Sequence, residues 1–258
     1  MARFFVAASN IAGGVAYIGG KDFEHIRVLR IRNGELFTVC DGQGTDYECR
    51  LADVQGSAAV AEVISSSPSR SEPTVTCTVY AAWPKGDKAE TIVQKSVEVG
   101  ASEIVFFPSA RCVSKVDALG AAKKLQRLGR VAEEAAKQSG RGIIPAVSAA
   151  ESFSAALARA AGADLPIFLY EMERGTGIRG AVAAVPGAET VSIVTGPEGG
   201  FEPEEAAAAQ AAGLRCVGLG PRILRCETAP VCALAAVMAL TDNFGDLPRE
   251  NTEQTQEA

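Results

Sequence analysis

The stretch Leu219-Gly220-Pro221-Arg222-Ile223-Leu224-Arg225-Cys226-Glu227-Thr228-Ala229 joins two apolar segments of the chain. The short apolar run that leads into it, residues 216–219, predicts a buried strand, and the alanine-rich run that follows predicts a buried helix. The Gly-Pro pair forces an irregular backbone between these elements, so the loop keeps N–H and C=O groups that no helix or strand uses. We therefore expect residues 219–229 to bind a ligand, in part through their backbone.

A second turn, Gly196-Pro197-Glu198-Gly199-Gly200, has the same arrangement. It follows a predicted strand at residues 191–195, and Pro203 opens the helix that comes after it. Both loops therefore follow the carboxyl end of a strand, where open α/β sheets bind their ligands. For either loop alone, an ordinary connection between a strand and a helix is an equally good interpretation.

The composition is that of a globular protein: 47% of the 258 residues are hydrophobic, and no apolar run approaches the roughly 20 residues of a membrane span. The first five residues, Met1 to Phe5, do not resemble a signal peptide, so we expect a cytoplasmic protein with no membrane contact. The seven cysteines form no CxxC pair and His25 is the only histidine. This pattern indicates neither a metal site nor a disulfide framework, and it argues against a Ser-His-Asp triad.

The net charge is −6, but the charges are unevenly distributed along the chain: residues 71–141 carry 11 basic and 8 acidic side chains. A strip of cations in this part could face the phosphates of a nucleic acid. An equally good interpretation is a solvated helix face on which Glu133 and Glu134 pair locally. The strip consists of Lys115, Lys123, Lys124, Arg127, Arg130, Lys137 and Arg141.

Residues 3–67 predict a small β-rich unit, which we expect to be a five-strand barrel. Residues 36–40 and 47–51 flank a Gly-rich turn and form a hairpin, and residues 58–64 continue the alternation. Asp22 is placed to cap a short helix whose outer face would show Arg27 and Arg30. The Ser-rich run 65–69 indicates a linker, with a domain boundary near residue 70.

From Thr74 onward, strand and helix patterns alternate, which predicts a mostly parallel sheet covered on both faces. The polar tail from Leu247 predicts disorder. The predicted strands cover residues 75–81, 104–107, 167–170, 191–195 and 216–219, and the predicted helices cover residues 87–99, 121–138, 153–161, 204–212 and 229–241.

The two loops together resemble the signature of the RsmE-type ribosomal RNA methyltransferases of the SPOUT superfamily. The likeness extends to Gln94-Lys95-Ser96, to Ser109-Ala110-Arg111-Cys112 and to residues 136–141, and so covers nearly the whole chain. The resemblance implies an α/β fold in which a PUA-like β-barrel, residues 1–70, precedes a SPOUT methyltransferase domain, residues 73–246. It also implies a trefoil knot and a homodimer. The polar tail, residues 247–258, lies outside both domains.

The activity that the resemblance implies is methyl transfer from S-adenosyl-L-methionine to N3 of a uridine in 16S ribosomal RNA of the small ribosomal subunit, with uridine 1498 as the family's target. Two alternatives stay open: a SPOUT enzyme acting on a transfer-RNA ribose 2′-OH, and a non-catalytic RNA-binding dimer. A P-loop or dinucleotide site is excluded, because neither motif is present. The implied cofactor-binding residues are Leu169, Thr195, Gly196, Glu198, Gly199, Gly200, Leu219, Gly220, Ile223, Leu224, Glu227 and Thr228.

Such a reaction needs mainly alignment, because a sulfonium carries its own leaving group, and alignment can be worth about 7–11 kcal/mol. The uridine N3 must also lose a proton, and nearby cations would stabilise the resulting anion. We expect Arg222 and Arg225 to supply this charge and Glu198 to act as the general base, although an Arg225–Glu227 ion pair that only pins the loop is an alternative. The predicted RNA-binding residues are Arg27, Arg30, Arg111, Lys123, Lys124, Arg127 and Arg141.

Cys226 departs from the family pattern, which usually has Thr at this position. A thiol is a poor hydrogen-bond donor, so a bond made by the usual hydroxyl would be weakened here. We expect that this hydroxyl caps the following helix, the alternative being a contact with the cofactor.

Overall fold

The computed structural model describes residues 2–113 and 118–245. These residues form two six-stranded sheets and seven α-helices. The predicted disordered tail, 247–258, and Lys115 lie outside the described residues. Within the described part, no helix is long and apolar enough to cross a membrane. The same residues contain no group of His, Cys, Asp and Glu side chains that could hold a metal ion.

The first sheet has six strands, so the predicted number of five is wrong. Three of its strands had no predicted position: Arg3–Phe5, Ile11–Ala12 and Val15–Gly19. The first two have three and two residues and are too short to show an alternating pattern. One face packs on a core in which Phe4 and Phe37 meet edge to face, with ring centroids 5.4 Å apart. The elements are β1 (Arg3–Phe5), β2 (Ile11–Ala12), β3 (Val15–Gly19), α1 (Gly20–Leu29), β4 (Leu36–Cys40), β5 (Thr45–Gln55) and β6 (Ala58–Pro68). The order of the strands in the sheet is β1-β4-β5-β6-β3-β2.

Helix α1 is present, but Asp22 does not cap it. The cap residue is Gly19, and no side chain bonds to the free N–H groups there. Asp22 lies in the first turn instead and pairs with Lys137, with Oδ1 and Nζ 2.9 Å apart. Arg27 and Arg30 are exposed on this helix, as predicted.

The second sheet is parallel throughout, which confirms the prediction from the alternating pattern. The strands are β7 (Thr76–Ala82), β8 (Glu103–Phe107), β9 (Ala146–Ala149), β10 (Leu165–Leu169), β11 (Thr190–Thr195) and β12 (Arg215–Val217), and the helices are α2 (Lys88–Val99), α3 (Ala118–Ser139), α4 (Phe153–Ala160), α5 (Ile178–Ala183), α6 (Pro203–Ala211) and α7 (Ala229–Leu240). The order of the strands in the sheet is β12-β10-β11-β7-β8-β9. Two short elements, β9 and α5, were not predicted.

Buried side chains cover both faces of this sheet because alternate residues of each strand point to opposite sides. In β7, Val79 belongs to the core that contains side chains of α2, α3, α5 and α7. Its neighbour Tyr80 belongs to the core that contains side chains of α4 and α6. The trefoil knot stays a prediction, because strand order and hydrogen-bond pairing do not define how a chain is threaded.

Arg141 links the segment between the two sheets to the second sheet, and this excludes the predicted role in RNA binding. Its side chain is only 4% exposed and pairs with Glu72, with Nη2 and Oε2 2.5 Å apart. Its Nη1 donates to the backbone oxygens of Val97 and Ala101. A guanidinium whose donors are used inside the protein cannot reach a phosphate, so Arg141 is a structural residue.

Candidate active site

A cavity of about 540 Å³ opens where the carboxyl ends of β10, β11 and β12 meet. The last residues of these strands, Leu169, Thr195 and Val217, lie in its wall. The two loops that the sequence singled out form much of the rest, because each follows one of these strands. The lining residues are Lys88, Leu169, Tyr170, Glu171, Arg174, Thr195, Gly196, Pro197, Glu198, Gly199, Gly200, Val217, Leu219, Gly220, Arg222, Ile223, Leu224, Arg225, Cys226 and Ala229.

Close backbone packing sets the shape of this cavity. At Gly218, which follows β12, the N–H donates to the Thr176 oxygen at 2.9 Å, so the strand ends two residues earlier than predicted. A Cβ at this position would lie 2.5 Å from the backbone oxygen of Glu173. At Gly200 the backbone has φ +69°, which favours glycine, and a Cβ would overlap the carboxylate of Glu171. Glycine is therefore required where the loops approach residues 171–176.

The predicted cofactor-binding residues line this cavity, except Glu227 and Thr228. Glu227 does not line the cavity and pairs with Lys88. Thr228 is exposed and precedes the first residue of helix α7. Sequence reasoning missed Lys88, Glu171 and Arg174. The last two follow β10 and could have been found by the rule that ligands bind at the carboxyl ends of strands, but nothing in the sequence connects Lys88 to these loops.

The carboxylate of Glu198 accepts hydrogen bonds within the protein, and these argue against a role as general base. Its Oε1 accepts the backbone N–H of Lys85 at 3.0 Å and lies 3.1 Å from Nζ of Lys88. Burial alone would raise the pKa of Glu198, but these hydrogen bonds outweigh it and lower the pKa. A carboxylate with a lowered pKa is a weaker proton acceptor.

Arg222 and Arg225 are exposed at the cavity wall, and neither forms an ion pair with any residue that the structure describes. The alternative of an Arg225–Glu227 pair is wrong, because Glu227 pairs with Lys88, with Oε2 and Nζ 3.4 Å apart. Both guanidinium groups are therefore available to an anionic group that enters the cavity.

Arg111 stabilises the 196–200 turn. Its Nη1 donates to the Gly199 oxygen at 2.8 Å, and its Nε lies 2.8 Å from Glu202 Oε1. The neighbouring Glu205 accepts the Ser109 hydroxyl at 2.9 Å and the Ala110 N–H at 3.0 Å. These bonds hold the 109–111 loop against the beginning of α6 and leave Arg111 paired rather than free for RNA.

Cys226 lies in the cavity wall rather than at a helix cap. No side chain caps α7 at Thr228, so the expected capping role has no counterpart here. The Cys226 thiol donates to Glu227 Oε2 at 3.3 Å and lies 3.8 Å from Lys88 Nζ. Burial raises the pKa of the thiol to about 12, which keeps it protonated and able to donate.

Comparison with known proteins covers both parts of the chain. Residues 18–64 match the model of the RNA methyltransferase PUA domain, and residues 70–238 match that of the RNA methyltransferase domain. Ribosomal RNA small subunit methyltransferase E of Bacillus subtilis is 36% identical over 231 residues, which are 87% of this chain and 90% of that protein. The protein of the same name from Mycobacterium bovis is 35% identical over 251 residues, 93% of this chain and 92% of that protein. The chain belongs to the ribosomal RNA small subunit methyltransferase E family.

A solved structure of the family shares this architecture. The methyltransferase E of Neisseria gonorrhoeae, crystallised with S-adenosyl methionine, superposes with a TM-score of 0.81 at 31% identity. The match covers 93% of this chain and 98% of that one. Membership of the methyltransferase E family confirms the resemblance drawn from the two loops and the fold class of a PUA-type domain followed by a methyltransferase domain.

Proposed function

We propose that this protein methylates N3 of a uridine in 16S ribosomal RNA, with S-adenosyl-L-methionine as methyl donor and uridine 1498 as the target. The observation that carries the proposal is the cavity at the ends of β10, β11 and β12, in a chain of the methyltransferase E family. Because the substrate is ribosomal RNA, we place the reaction in the cytoplasm.

The residues of the cavity fit S-adenosylmethionine. The volume of the cavity, about 540 Å³, lies within the roughly 300–1,000 Å³ usual for ligand pockets. Leu169, Val217 and Leu219 offer apolar contacts to an adenine ring, and the glycine turns bring backbone groups close. The carboxylate of Glu171 suits the hydroxyl or ammonium groups of the cofactor.

The bound cofactor would supply an electrophilic methyl group with its leaving group attached. The protein would hold the uracil and stabilise the anion that forms when N3 loses its proton. Arg222 and Arg225 support this role, because both are charged, exposed to the cavity and without an ion-pair partner in the described part of the chain. The hydrogen-bonded state of Glu198 argues against transfer of this proton to the Glu198 carboxylate.

Methyl transfer to 16S ribosomal RNA tests the proposal. The purified protein is incubated with labelled S-adenosylmethionine and, in separate reactions, with small subunits or with transfer RNA from a strain that lacks this gene, and the RNA is digested to nucleosides. We expect N3-methyluridine as the labelled product. A 2′-O-methylated nucleoside, or label in transfer RNA only, would support the ribose methyltransferase instead, and RNA binding without any transfer would support a non-catalytic protein.

Replacement of Cys226 by Thr is expected to tighten S-adenosylmethionine binding several-fold, because a hydroxyl donates to Glu227 more strongly than a thiol and a net hydrogen bond is worth about 0.5–1.5 kcal/mol. Titration calorimetry measures the affinity. Cys226→Val is the matched control, since Val has the shape of Thr without the donor. Equal affinities of the Thr and Val variants would show that the bond to Glu227 does not affect the site.

We propose that the protein is a homodimer, on the basis of helix α7. One face of α7 is buried under α2 and α5, with Leu234 and Val237 fully covered. The opposite face leaves Cys232, Ala239 and Leu240 exposed, and Phe244 beyond it is 59% exposed. Apolar surface on both sides of a helix is typical of an interface. We expect light scattering at micromolar concentration to give twice the 26.7 kDa chain mass, and a monomer would contradict the proposal.

We propose that RNA contacts Arg27, Arg30 and Lys123, which are exposed and form no ion pair with the described residues. The other exposed or half-exposed residues that were predicted to bind RNA already have partners within the protein. Arg127 pairs with Glu90, and Lys124 lies 5.5 Å from the centre of the Trp83 ring.

Replacing Arg27, Arg30 and Lys123 together by Ala is expected to reduce the salt dependence of RNA binding, the slope of log K against log salt, by about 2–3, because each neutralised phosphate contributes about 0.7–0.9. Filter binding at several salt concentrations measures the slope. Lys95→Ala, which removes an exposed Lys that pairs with Glu98, is the control and should leave the slope unchanged. An unchanged slope in the triple variant would show that these residues face solvent.

A further inference from the structure

We propose that Lys88 is a positioning residue of the cofactor site, whose ammonium group ties the 196–200 turn to the 219–229 stretch through Glu198 and Glu227. The inference rests on the proposed function for its meaning, since it concerns the loops that would hold S-adenosylmethionine. The ion pairs of Lys88 with Glu198 and Glu227 are observed in the structure and do not depend on that function.

Three separate segments of the chain meet at this ammonium group. Lys88 is the first residue of α2 and lies more than 100 residues from both loops in sequence. Its Nζ lies 3.1 Å from Glu198 Oε1 and 3.4 Å from Glu227 Oε2. The backbone N–H of Lys85, from the same segment, donates to the same oxygen of Glu198. The beginning of α2 therefore holds both loops that form the cavity.

The arrangement is stronger than an ordinary surface ion pair. The side chains of Lys88, Glu198 and Glu227 are 27%, 25% and 20% exposed, so water screens them only in part. Without the ammonium group, the carboxylates of Glu198 and Glu227, which both lie within 3.4 Å of Lys88 Nζ, would repel each other. Lys88 thus converts a repulsion between the loops into an attraction.

Lys88 is charged at neutral pH, because its pKa is raised above the ordinary value of a lysine. The hydrogen bond to Glu198 is the main reason for the raised pKa, and burial opposes this effect. The pKa of Glu227 is lowered despite its burial, because of its hydrogen bonds and the nearby ammonium group. A protonated amine cannot accept a proton, so Lys88 acts through the two loops rather than on the reacting atoms.

The variant Lys88→Met tests the inference, since Met preserves the length of the side chain and removes the charge. We expect the affinity for S-adenosylmethionine, measured by calorimetry, to fall by at least about tenfold, because hydrogen bonds to charged groups contribute strongly. At saturating cofactor, methyl transfer should stay within about threefold of the unchanged protein, so that KM rises while kcat is nearly kept. Lys88→Arg should restore most of the affinity. Lys95→Met, the same change on the same helix away from the cavity, is the control and should bind the cofactor as the unchanged protein does.

A double-mutant cycle separates a tie between the loops from a loss of general stability. Glu198→Gln and Glu227→Gln should have strongly non-additive effects on cofactor affinity when Lys88 is present, because both act on one ammonium group. In the Lys88→Met background the two effects should add. Additive effects in both backgrounds, or an affinity of Lys88→Met within twofold of the unchanged protein, would overturn the inference.

Hydrogen exchange in the protein without cofactor distinguishes failure of this inference from failure of the proposed function. In Lys88→Met, amide exchange should become faster in both loops together, while exchange in the first sheet stays the same. If the unchanged protein binds no S-adenosylmethionine but this change in exchange is seen, the proposed function fails and the role of Lys88 in joining the loops stands. Unchanged exchange in both loops would overturn the inference whatever the cofactor does.

Discussion

Gly218→Ala is expected to slow methyl transfer by about 100-fold while the protein stays folded. The added Cβ would lie 2.5 Å from the backbone oxygen of Glu173, and a backbone oxygen cannot rotate away as a side chain can. The 219–229 stretch and the 171–176 loop must therefore move apart, and Arg174 and Leu219 move with them. A displacement of about 1 Å in the parts that align reactants can cost about 100-fold in rate.

Single-turnover methyl transfer to small subunits measures this effect, with calorimetry for the affinity of the cofactor. Gly180→Ala is the matched control, because Gly180 lies inside helix α5 and a Cβ there would meet nothing within 4 Å. That variant should keep its activity and gain about 0.5–1 kcal/mol in the free energy of unfolding, as Ala favours a helix over Gly. If Gly218→Ala reacts as fast as the unchanged protein, the close approach of the two loops does not position the reactants.

Arg141→Met is expected to lower the free energy of unfolding by about 3–5 kcal/mol, the usual cost of removing one partner of a buried ion pair. The change leaves the carboxylate of Glu72 without its cation and removes the donors that the Val97 and Ala101 oxygens accept. Chemical denaturation monitored by circular dichroism measures the loss.

Arg130→Met is the control for this prediction. Arg130 lies exposed on α3, and its replacement should change the free energy of unfolding by less than about 0.5 kcal/mol. The salt dependence of RNA binding separates the structural role of Arg141 from the role that the sequence suggested. A buried guanidinium contacts no phosphate, so the folded Arg141→Met protein should keep the slope of the unchanged protein. A slope smaller by about 0.9 would show that Arg141 contacts the RNA.

The sequence was sufficient for the framework of the fold. The alternating pattern after Thr74 predicted a parallel sheet with helices on both faces, because β-branched and apolar residues recur with the period of a strand or of a helix. The strands that had no predicted position are β1, β2, β3 and β9, which have only two to five residues and therefore show a weak period or none. The strand predicted at 216–219 ends at Val217, since the Gly218 N–H bonds to Thr176 outside the sheet.

The loops of the candidate site were also predictable, whereas the pairing of their charges was not. A glycine turn after a strand is a local feature, so the amino-acid sequence alone assigns Gly196 to Gly200 and Leu219 to Leu224 to ligand loops at the same edge of the sheet. The partner of a charged side chain depends on distant segments. For this reason Arg141 was misassigned to RNA, and Glu227 was assigned to Arg225 as an alternative, although its partner is Lys88.

The sequence by itself determined the alternation of strands and helices after Thr74, the position of the two ligand loops and the family. Each of these depends on residues that lie close together along the chain. Only the tertiary structure decided which charges are free. Ion pairing follows distance in space, and folding brings Lys88 to Glu198 and Glu227, and Arg141 to Glu72, across separations of 69 to 139 residues. The lowered pKa of Glu198, and with it the argument against Glu198 as the general base, follows from the same long-range contacts, since the desolvation and hydrogen bonds that set a pKa exist only after the chain has folded.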